Sequence, residues 1–309
     1  MSNKKVMVTG GAGFIGSHLV DAMINNGYEV VIVDNLSTGF KKNINPKAKF
    51  FKMDICDKKL TDVFRMERPQ IVCHHAAQTV VTRSMSDPVF DAKQNILGSI
   101  NVLLNCTESN VSKLIYASSG GAVYGEPQYR PVDENHPINP LSPYGISKHV
   151  VEHYLQLYGT ELGLDYVVLR YANVYGSRQN PKAEAGVVAI FAMQMLGGKQ
   201  PVIYGSGDKT RDYVHVSDVV AANLLALNKG RQAIYNIGTG IETSDQQMFD
   251  TLAHLLRYKG HPQYAPVRKG EISRISLECK NAQSVLGWQP RFSLKDGLAQ
   301  AINYYRDLC

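Results

Sequence analysis

Val6-Met7-Val8-Thr9-Gly10-Gly11-Ala12-Gly13-Phe14-Ile15-Gly16 is the stretch on which the fold turns. A short apolar run breaks into glycines at Gly10, Gly13 and Gly16, and an amphipathic stretch from Gly13 to about Asn26 follows. A buried strand that turns tightly into a helix reads this way. Glycine lets the backbone approach a pyrophosphate, whose charge then rests on the helix N-terminus. Glycine turns also serve plain strand-to-helix packing, so the motif gains its weight from Asp34, which ends the next apolar run. A carboxylate there grips adenosine ribose hydroxyls and repels the extra phosphate of NADP. No arginine follows to welcome that phosphate, so NAD is favoured.

Outward from this motif, the first half alternates β-branched runs with helix-length amphipathic stretches. Strands are expected at Lys5 to Thr9, Glu29 to Val33, Lys49 to Met53, Ile71 to His74, Lys113 to Ala117 and Tyr166 to Arg170. Helices are expected from about Gly13 to Asn26, Asp57 to Glu67, Asp87 to Ser109 and Tyr144 to Leu162, with Asp57 and Asp87 able to cap theirs. Alternation of this kind belongs to an α/β fold with a Rossmann-type doubly wound parallel sheet. After Arg170, loops at 176–186, 197–201 and 205–209 separate helices near Val187 to Leu196, Ser217 to Leu227, Ser244 to Arg257 and Leu294 to Arg306. The expected division is a dinucleotide-binding domain over 1–171 and a smaller mixed α/β substrate domain over 172–309, with segments after 212 returning to the first sheet.

Composition narrows the function classes. With 309 residues, 44% hydrophobic and 19% charged, the chain can bury a large core. No apolar run approaches the roughly 18 residues of a membrane span, and Val6 to Val8 lead straight into the glycines without a signal-peptide layout, so no membrane and a cytoplasmic location are expected. Cys56, Cys73, Cys106, Cys279 and Cys309 are scattered and read as reduced filler, with no metal site. The formal charge of +6 is dispersed, which suits small anionic ligands and speaks against nucleic acid.

Tyr144 and Lys148 stand four apart at the start of a helix, after Pro140-Leu141-Ser142-Pro143, and share one face. Such a pair is often an ordinary helix surface. Here it opens the helix after the strand that ends at Ala117, at the cofactor edge of the sheet. A phenol is a poor base at neutral pH, and lowering its pKa by about three units takes about 4 kcal/mol, which Lys148 and a positive nicotinamide ring can supply.

Taken together, Thr9 to Gly16, Val33 to Gly39, Asp54-Ile55, His74 to Gln78, Tyr144 to Lys148 and Arg170 to Gly176 resemble the extended short-chain dehydrogenases over nearly the whole chain. Val202 to Asp218, Arg268 to Glu271 and Leu286 to Pro290 are similar to segments of the nucleotide-sugar members, the UDP-glucose 4-epimerases in particular. The resemblance implies a UDP-hexose substrate, bound NAD and a homodimer through helices near Asn95 to Ser109 and Tyr144 to Leu162. It also implies Tyr144 and Lys148 as the acid-base pair. Cofactor contacts fall to Gly10, Gly13, Phe14, Ile15, Gly16, Asp34, Asn35, Ser37, Thr38, Gly39, Asp54, Ile55, Ala76, Ala77, Gln78, Asn95, Tyr144 and Lys148. Nucleotide-sugar contacts fall to Asn173, Val187, Val202, Tyr204, Arg211, Arg268, Glu271 and Ser276. Guanidinium groups match phosphate oxygens in a fork, while the bland reading of Arg211 is a surface ion pair with Asp208 or Asp212.

One departure stands out. Relatives carry Ser or Thr three residues before the Val-Tyr-Gly found here at Val123 to Gly125, and this chain has Gly120. Ser119, or a water in the space beside Gly120, is expected to assist Tyr144. Ser276 falls where some epimerases keep a bulky residue, so its small volume is expected to admit an N-acetyl group. The competing readings are another nucleotide-sugar epimerase or dehydratase of the same family, and a non-catalytic dinucleotide-sensing protein, which the Gly120 departure favours and the intact Tyr144 and Lys148 oppose.

Overall fold

A computed structural model describes residues 4–181, 186–268 and 271–308. Cys309, part of the 176–186 loop and the middle of the Arg268 to Glu271 segment lie outside the described residues. The strands are β1 (Lys5–Thr9), β2 (Glu29–Asp34), β3 (Lys49–Lys52), β4 (Ile71–His74), β5 (Lys113–Ser119), β6 (Asp165–Tyr171), β7 (Asn173–Tyr175), β8 (Val202–Tyr204), β9 (Thr210–His215), β10 (Ala233–Ile237), β11 (Glu242–Ser244) and β12 (Gln263–Ala265). The helices are α1 (Phe14–Asn25), α2 (Leu60–Glu67), α3 (Val81–Ser86), α4 (Pro88–Ala92), α5 (Gly98–Glu108), α6 (Gly120–Val123), α7 (Pro143–Leu162), α8 (Val187–Leu196), α9 (Val216–Ala226), α10 (Asp245–Leu256) and α11 (Leu294–Arg306).

Seven parallel strands build the main sheet in the order β10-β6-β5-β4-β1-β2-β3. Strand order runs one way from β1 to β3 and the other way from β4 to β6, so the chain opens a crevice beyond the C-terminal ends of β1 and β4. Thr9 pairs in register with His74, and the His75 amide donates to the Thr9 carbonyl at 3.1 Å, so the glycine turn and the segment after β4 face each other there. Both faces of the sheet are covered, which is why the centre of β1, Val6 to Val8, is apolar without a break. Val6 and Val8 pack with Leu19, Met23, Val219 and Ala222 of α1 and α9, while Met7 packs on the other side with Phe64, Leu103 and Leu155 of α2, α5 and α7.

The six strands and four helices expected in the first half are present, with shifts of a few residues at their ends. Asp87 caps α4 as expected, accepting from the Phe90 amide at 3.0 Å. The single helix expected from Asp87 to Ser109 is instead α4 and α5 joined by a π-helical turn at Lys93–Leu97, and Asn95 lies in that turn. Asp57 does not cap α2. Its carboxylate accepts from the Lys59 amide in the turn before, and the helix begins only at Leu60.

The distal half holds a second core around Phe191, Tyr213, Met248, Phe249, Leu252 and Leu298, enclosed by α8, α10, α11 and the small β11-β9-β7 sheet. Serine and glutamine form a capping box at its α10, where the Ser244 hydroxyl accepts from the Gln247 amide. The stretch containing α9 and β10 belongs to the main sheet: α9 lies beside α1, and β10 pairs with β6.

Candidate active site

The crevice is a cavity of about 790 Å³, a size that suits a cofactor together with part of a substrate. Its floor is the glycine turn. Gly10 has φ +71°, and a Cβ there would lie 2.7 Å from the Ala76 nitrogen, while a Cβ on Gly16 would lie 2.2 Å from the Gly10 oxygen. The turn is therefore closed against the 75–77 segment, and α1 begins with its amides free to meet an anion. At the end of β2, Asp34 accepts from the Ala12 amide at 2.9 Å and the Leu36 amide at 2.8 Å. Burial pushes its pKa up, those amides oppose the rise, and no cation is among the groups that shift it. A backbone cradle that any side chain would fill, followed by a carboxylate with no basic neighbour, fits a dinucleotide that lacks a 2′-phosphate.

The pair expected to carry the acid-base chemistry, Tyr144 and Lys148, comes from the start of α7. The Ser142 hydroxyl accepts from the Gly145 amide at 3.2 Å and Pro143 occupies the first turn, so the helix starts where Tyr144 faces the cavity. One turn on, the Lys148 ammonium donates to the Ala117 carbonyl at 2.8 Å and sits 6.0 Å from the centre of the Tyr144 ring. Burial pushes the Tyr144 phenol up to about 12, a hydrogen bond with the Ser119 hydroxyl pulls it down, and the charge of Asp91 adds to the rise. Burial lowers Lys148 to about 8, against the charges of Asp91 and Glu152.

Of the residues expected at the cofactor, all line this cavity except Gly39 and Asn95. Gly39 packs behind the glycine turn, where a Cβ would meet Ala12 at 2.9 Å. Asn95 stands behind the wall and fixes Gln78 by its backbone, accepting from its amide at 2.8 Å and donating to its carbonyl at 2.9 Å. The sequence reading missed Arg83 and Phe90, which stack at 3.9 Å on the outer wall, and His75, Tyr171 and Gln179. Among these only His75 and Tyr171 sit inside quoted motifs; the others carry no spacing that sets them apart.

Residues 6–238 match the model of the NAD dependent epimerase/dehydratase family. The chain belongs to that family. A putative UDP-glucose 4-epimerase of Methanocaldococcus jannaschii is 52% identical over 98% of both chains. Among solved structures, the UDP-glucose 4-epimerase of Thermotoga maritima with UDP-glucose is 47% identical with a TM-score of 0.97, covering 98% of this chain and 99% of that one. The Thermus thermophilus UDP-glucose 4-epimerase in complex with NAD is 42% identical with a TM-score of 0.94 over the same shares.

Within this epimerase/dehydratase frame, the residues expected at the nucleotide sugar lie outside the cavity lining. Three of them form a second cluster. The Arg268 guanidinium stacks 3.5 Å from the centre of the Tyr204 ring and lies 3.9 Å from Glu271, which also pairs with Lys209. Arg211 donates to the Thr210 carbonyl at 2.8 Å rather than pairing with Asp208 or Asp212; the Asp212 carboxylate is buried and held by Thr239, Gly240 and Leu277. Asn173 opens β7 with its amide oxygen toward Gly121, Val187 starts α8, and Val202 pairs with Gln263. Ser276 is buried, its carbonyl bound by the Val132 amide.

Leu277 approaches the space expected beside Gly120. A Cβ on Gly120 would lie 2.5 Å from the Leu277 Cδ1 atom, so Leu277 occupies the volume that a serine or threonine side chain would take. Ser119 is the hydroxyl that reaches Tyr144, while Ser118 turns away and donates to Glu152 at 2.6 Å. Gly120→Ser is therefore expected to destabilise the fold by about 1–3 kcal/mol through overpacking, as read from denaturant midpoints. Equal midpoints for parent and Gly120→Ser would contradict this packing.

Proposed function

We propose that this chain is a UDP-hexose 4-epimerase that interconverts UDP-galactose and UDP-glucose through a 4-keto intermediate. The observation that carries the reading is that the Tyr144 phenol, hydrogen-bonded to Ser119, and the Lys148 ammonium line the same cavity as the glycine turn and Asp34. NAD, the cofactor of the family, supplies a hydride acceptor that returns the hydride, so no net oxidation results. Glycines 10, 13 and 16 with Asp34 would hold it. Tyr144 would take the proton from the sugar 4-hydroxyl and return it at the end of the cycle. Lys148, anchored to Ala117, would stabilise the phenolate. Arg211 and Arg268 would hold the pyrophosphate, with Arg268 leaving the Tyr204 face to make room for the uracil. The sugar ring would then turn about that tether and accept hydride on its other face.

The reading is tested by incubating purified protein with UDP-galactose and no added cofactor. UDP-glucose should accumulate; its absence when NAD is also supplied would refute the assignment.

The homodimer and the cytoplasmic location belong to the same proposal. Val89 and Leu97 with Leu104 on the α4–α5 side, and Ile146 with Leu157 on α7, are large apolar side chains exposed on neighbouring helices. A two-fold pairing of these helices would cover them, and the sedimenting mass should be that of two chains. Among the described residues no helix is long and apolar enough to cross a membrane, and the four described cysteines are free, as a reducing compartment requires.

A further inference from the structure

The Asp91 carboxylate is completely buried and, among the described residues, is held by neutral donors: Gln78 Nε2 at 2.8 Å, Asn95 Nδ2 at 2.9 Å and Ser147 Oγ at 2.7 Å. A buried carboxylate without a contact cation is costly, and natural cores avoid it unless its charge is used. Across the helix stands a second buried charge in the same position. Lys148 donates to a carbonyl, and among the described residues no carboxylate pairs with it. The two residues lie on α4 and α7, which pack together, and Ser147, which binds Asp91, is adjacent in sequence to Lys148.

We propose that Asp91 is a positioning residue, the remote counter-ion that keeps Lys148 an ammonium inside the site while leaving its donors free. A contact ion pair would neutralise the ammonium and tie it down. A carboxylate held by the neighbouring Ser147 hydroxyl favours the cation without competing for its protons. The proposal rests on reading Tyr144 and Lys148 as the acid-base pair. Other groups face Lys148 as well: His74 and His75 at the end of β4, Tyr116 on β5, and Tyr144 and Glu152 on α7. Burial and Lys148 itself push both histidines down to about 3, so they stay neutral and leave Asp91 and Glu152 as the acidic influences. Glu152 is already committed to Arg170, to which it pairs at 2.5 Å.

The charge of Asp91 raises both Lys148 and Tyr144. Removing it therefore moves both titrations in one direction, whereas a packing lesion lowers activity without moving either. The test is a carbon-13 NMR titration of protein labelled at lysine Cε, with the Lys148 signal assigned by its loss in Lys148→Met. In Asp91→Asn the midpoint should fall by about half to one pH unit, and in Ser147→Ala, which removes a hydrogen bond but not the charge, it should stay. The pH optimum of turnover should move to lower pH in the same variant and return in Asp91→Glu. An unmoved Lys148 midpoint in folded Asp91→Asn, or an equal fall in Ser147→Ala, overturns the proposal. Should Asp91→Asn not fold, Asp91→Ser carries the same test. The titration is read without substrate, so a failed epimerase assay and a failed counter-ion are told apart.

Discussion

Tyr144→Phe should lower turnover of UDP-galactose by about 10²–10⁴-fold, the range that a positioned acid-base group contributes, while the protein still binds NAD. The Ser119 hydroxyl and the Lys148 ammonium remain in this variant, but neither takes up the sugar proton in the place the phenol holds. With the phenol pushed up to about 12 by burial, bringing it near neutrality takes roughly 7 kcal/mol of electrostatic help at 1.36 kcal/mol per unit. Lys148 at 6.0 Å from the ring is one source, and the positive nicotinamide ring is the other. The loss should fall on kcat rather than KM, because the ring lines the cavity from the α7 side and the arginines proposed to hold the pyrophosphate lie outside that lining. NAD affinity, followed by fluorescence, serves as the control. Turnover within tenfold of the parent, with NAD still bound, would remove Tyr144 from the mechanism.

Where the fold was legible in the sequence, the reason is periodicity set by burial. β1, β2, β4, β5 and β6 are covered on both faces, so their residues are apolar in unbroken runs, and the helices between them carry one apolar stripe each. The distal half was harder to read because β7, β8, β11 and β12 have three residues each, too few to show an alternation. β10 was missed for another reason: Ala-Ile-Tyr-Asn-Ile mixes polar and apolar residues because it closes the sheet edge, where Asn236 is buried on Val132 and Tyr124. The π turn at Lys93–Leu97 has no sequence mark either, since it exists to aim Asn95 at Gln78 across 17 residues. At the site, the glycine spacing and the spacing of Tyr144 and Lys148 stood out locally, and the structure brings all of them to one cavity. Gly120 was readable only as a gap, because the residue that fills it, Leu277, is 157 positions away and nothing local announces the contact.

Glu152→Gln should cost about 3–5 kcal/mol of stability, the usual effect of removing one partner of a buried ion pair. Arg170 and Glu152 are both almost wholly buried; Arg170 Nε donates to one carboxylate oxygen at 2.9 Å and Nη2 to the other at 2.5 Å. Without the carboxylate charge, the guanidinium keeps only the Tyr124 hydroxyl at 2.8 Å as a strong partner, and a buried cation is left uncompensated. The pair also sets a pH dependence. Burial works to raise Glu152, but Arg170, His149 and Ser118 overcome it and bring the pKa to about 2 from the usual 4.5. A folded-state pKa below the unfolded one means that the stabilisation is complete above about pH 4.5 and disappears as pH falls toward 2. A shift of that size corresponds to roughly 3 kcal/mol, similar to the mutational cost. Asp54, Glu67 and Glu242 are depressed too and titrate in the acid range, so the parent curve alone does not isolate Glu152. The difference between parent and Glu152→Gln does: it should be largest near neutral pH and shrink toward pH 2–3 in urea midpoints. A difference below about 1 kcal/mol at pH 7 would mean that the pair behaves as a surface contact. Because Ser118 donates to the same carboxylate beside Ser119, the variant should also lose turnover, and Glu152→Asp, which returns the charge on a shorter stem, should restore part of both the stability and the turnover.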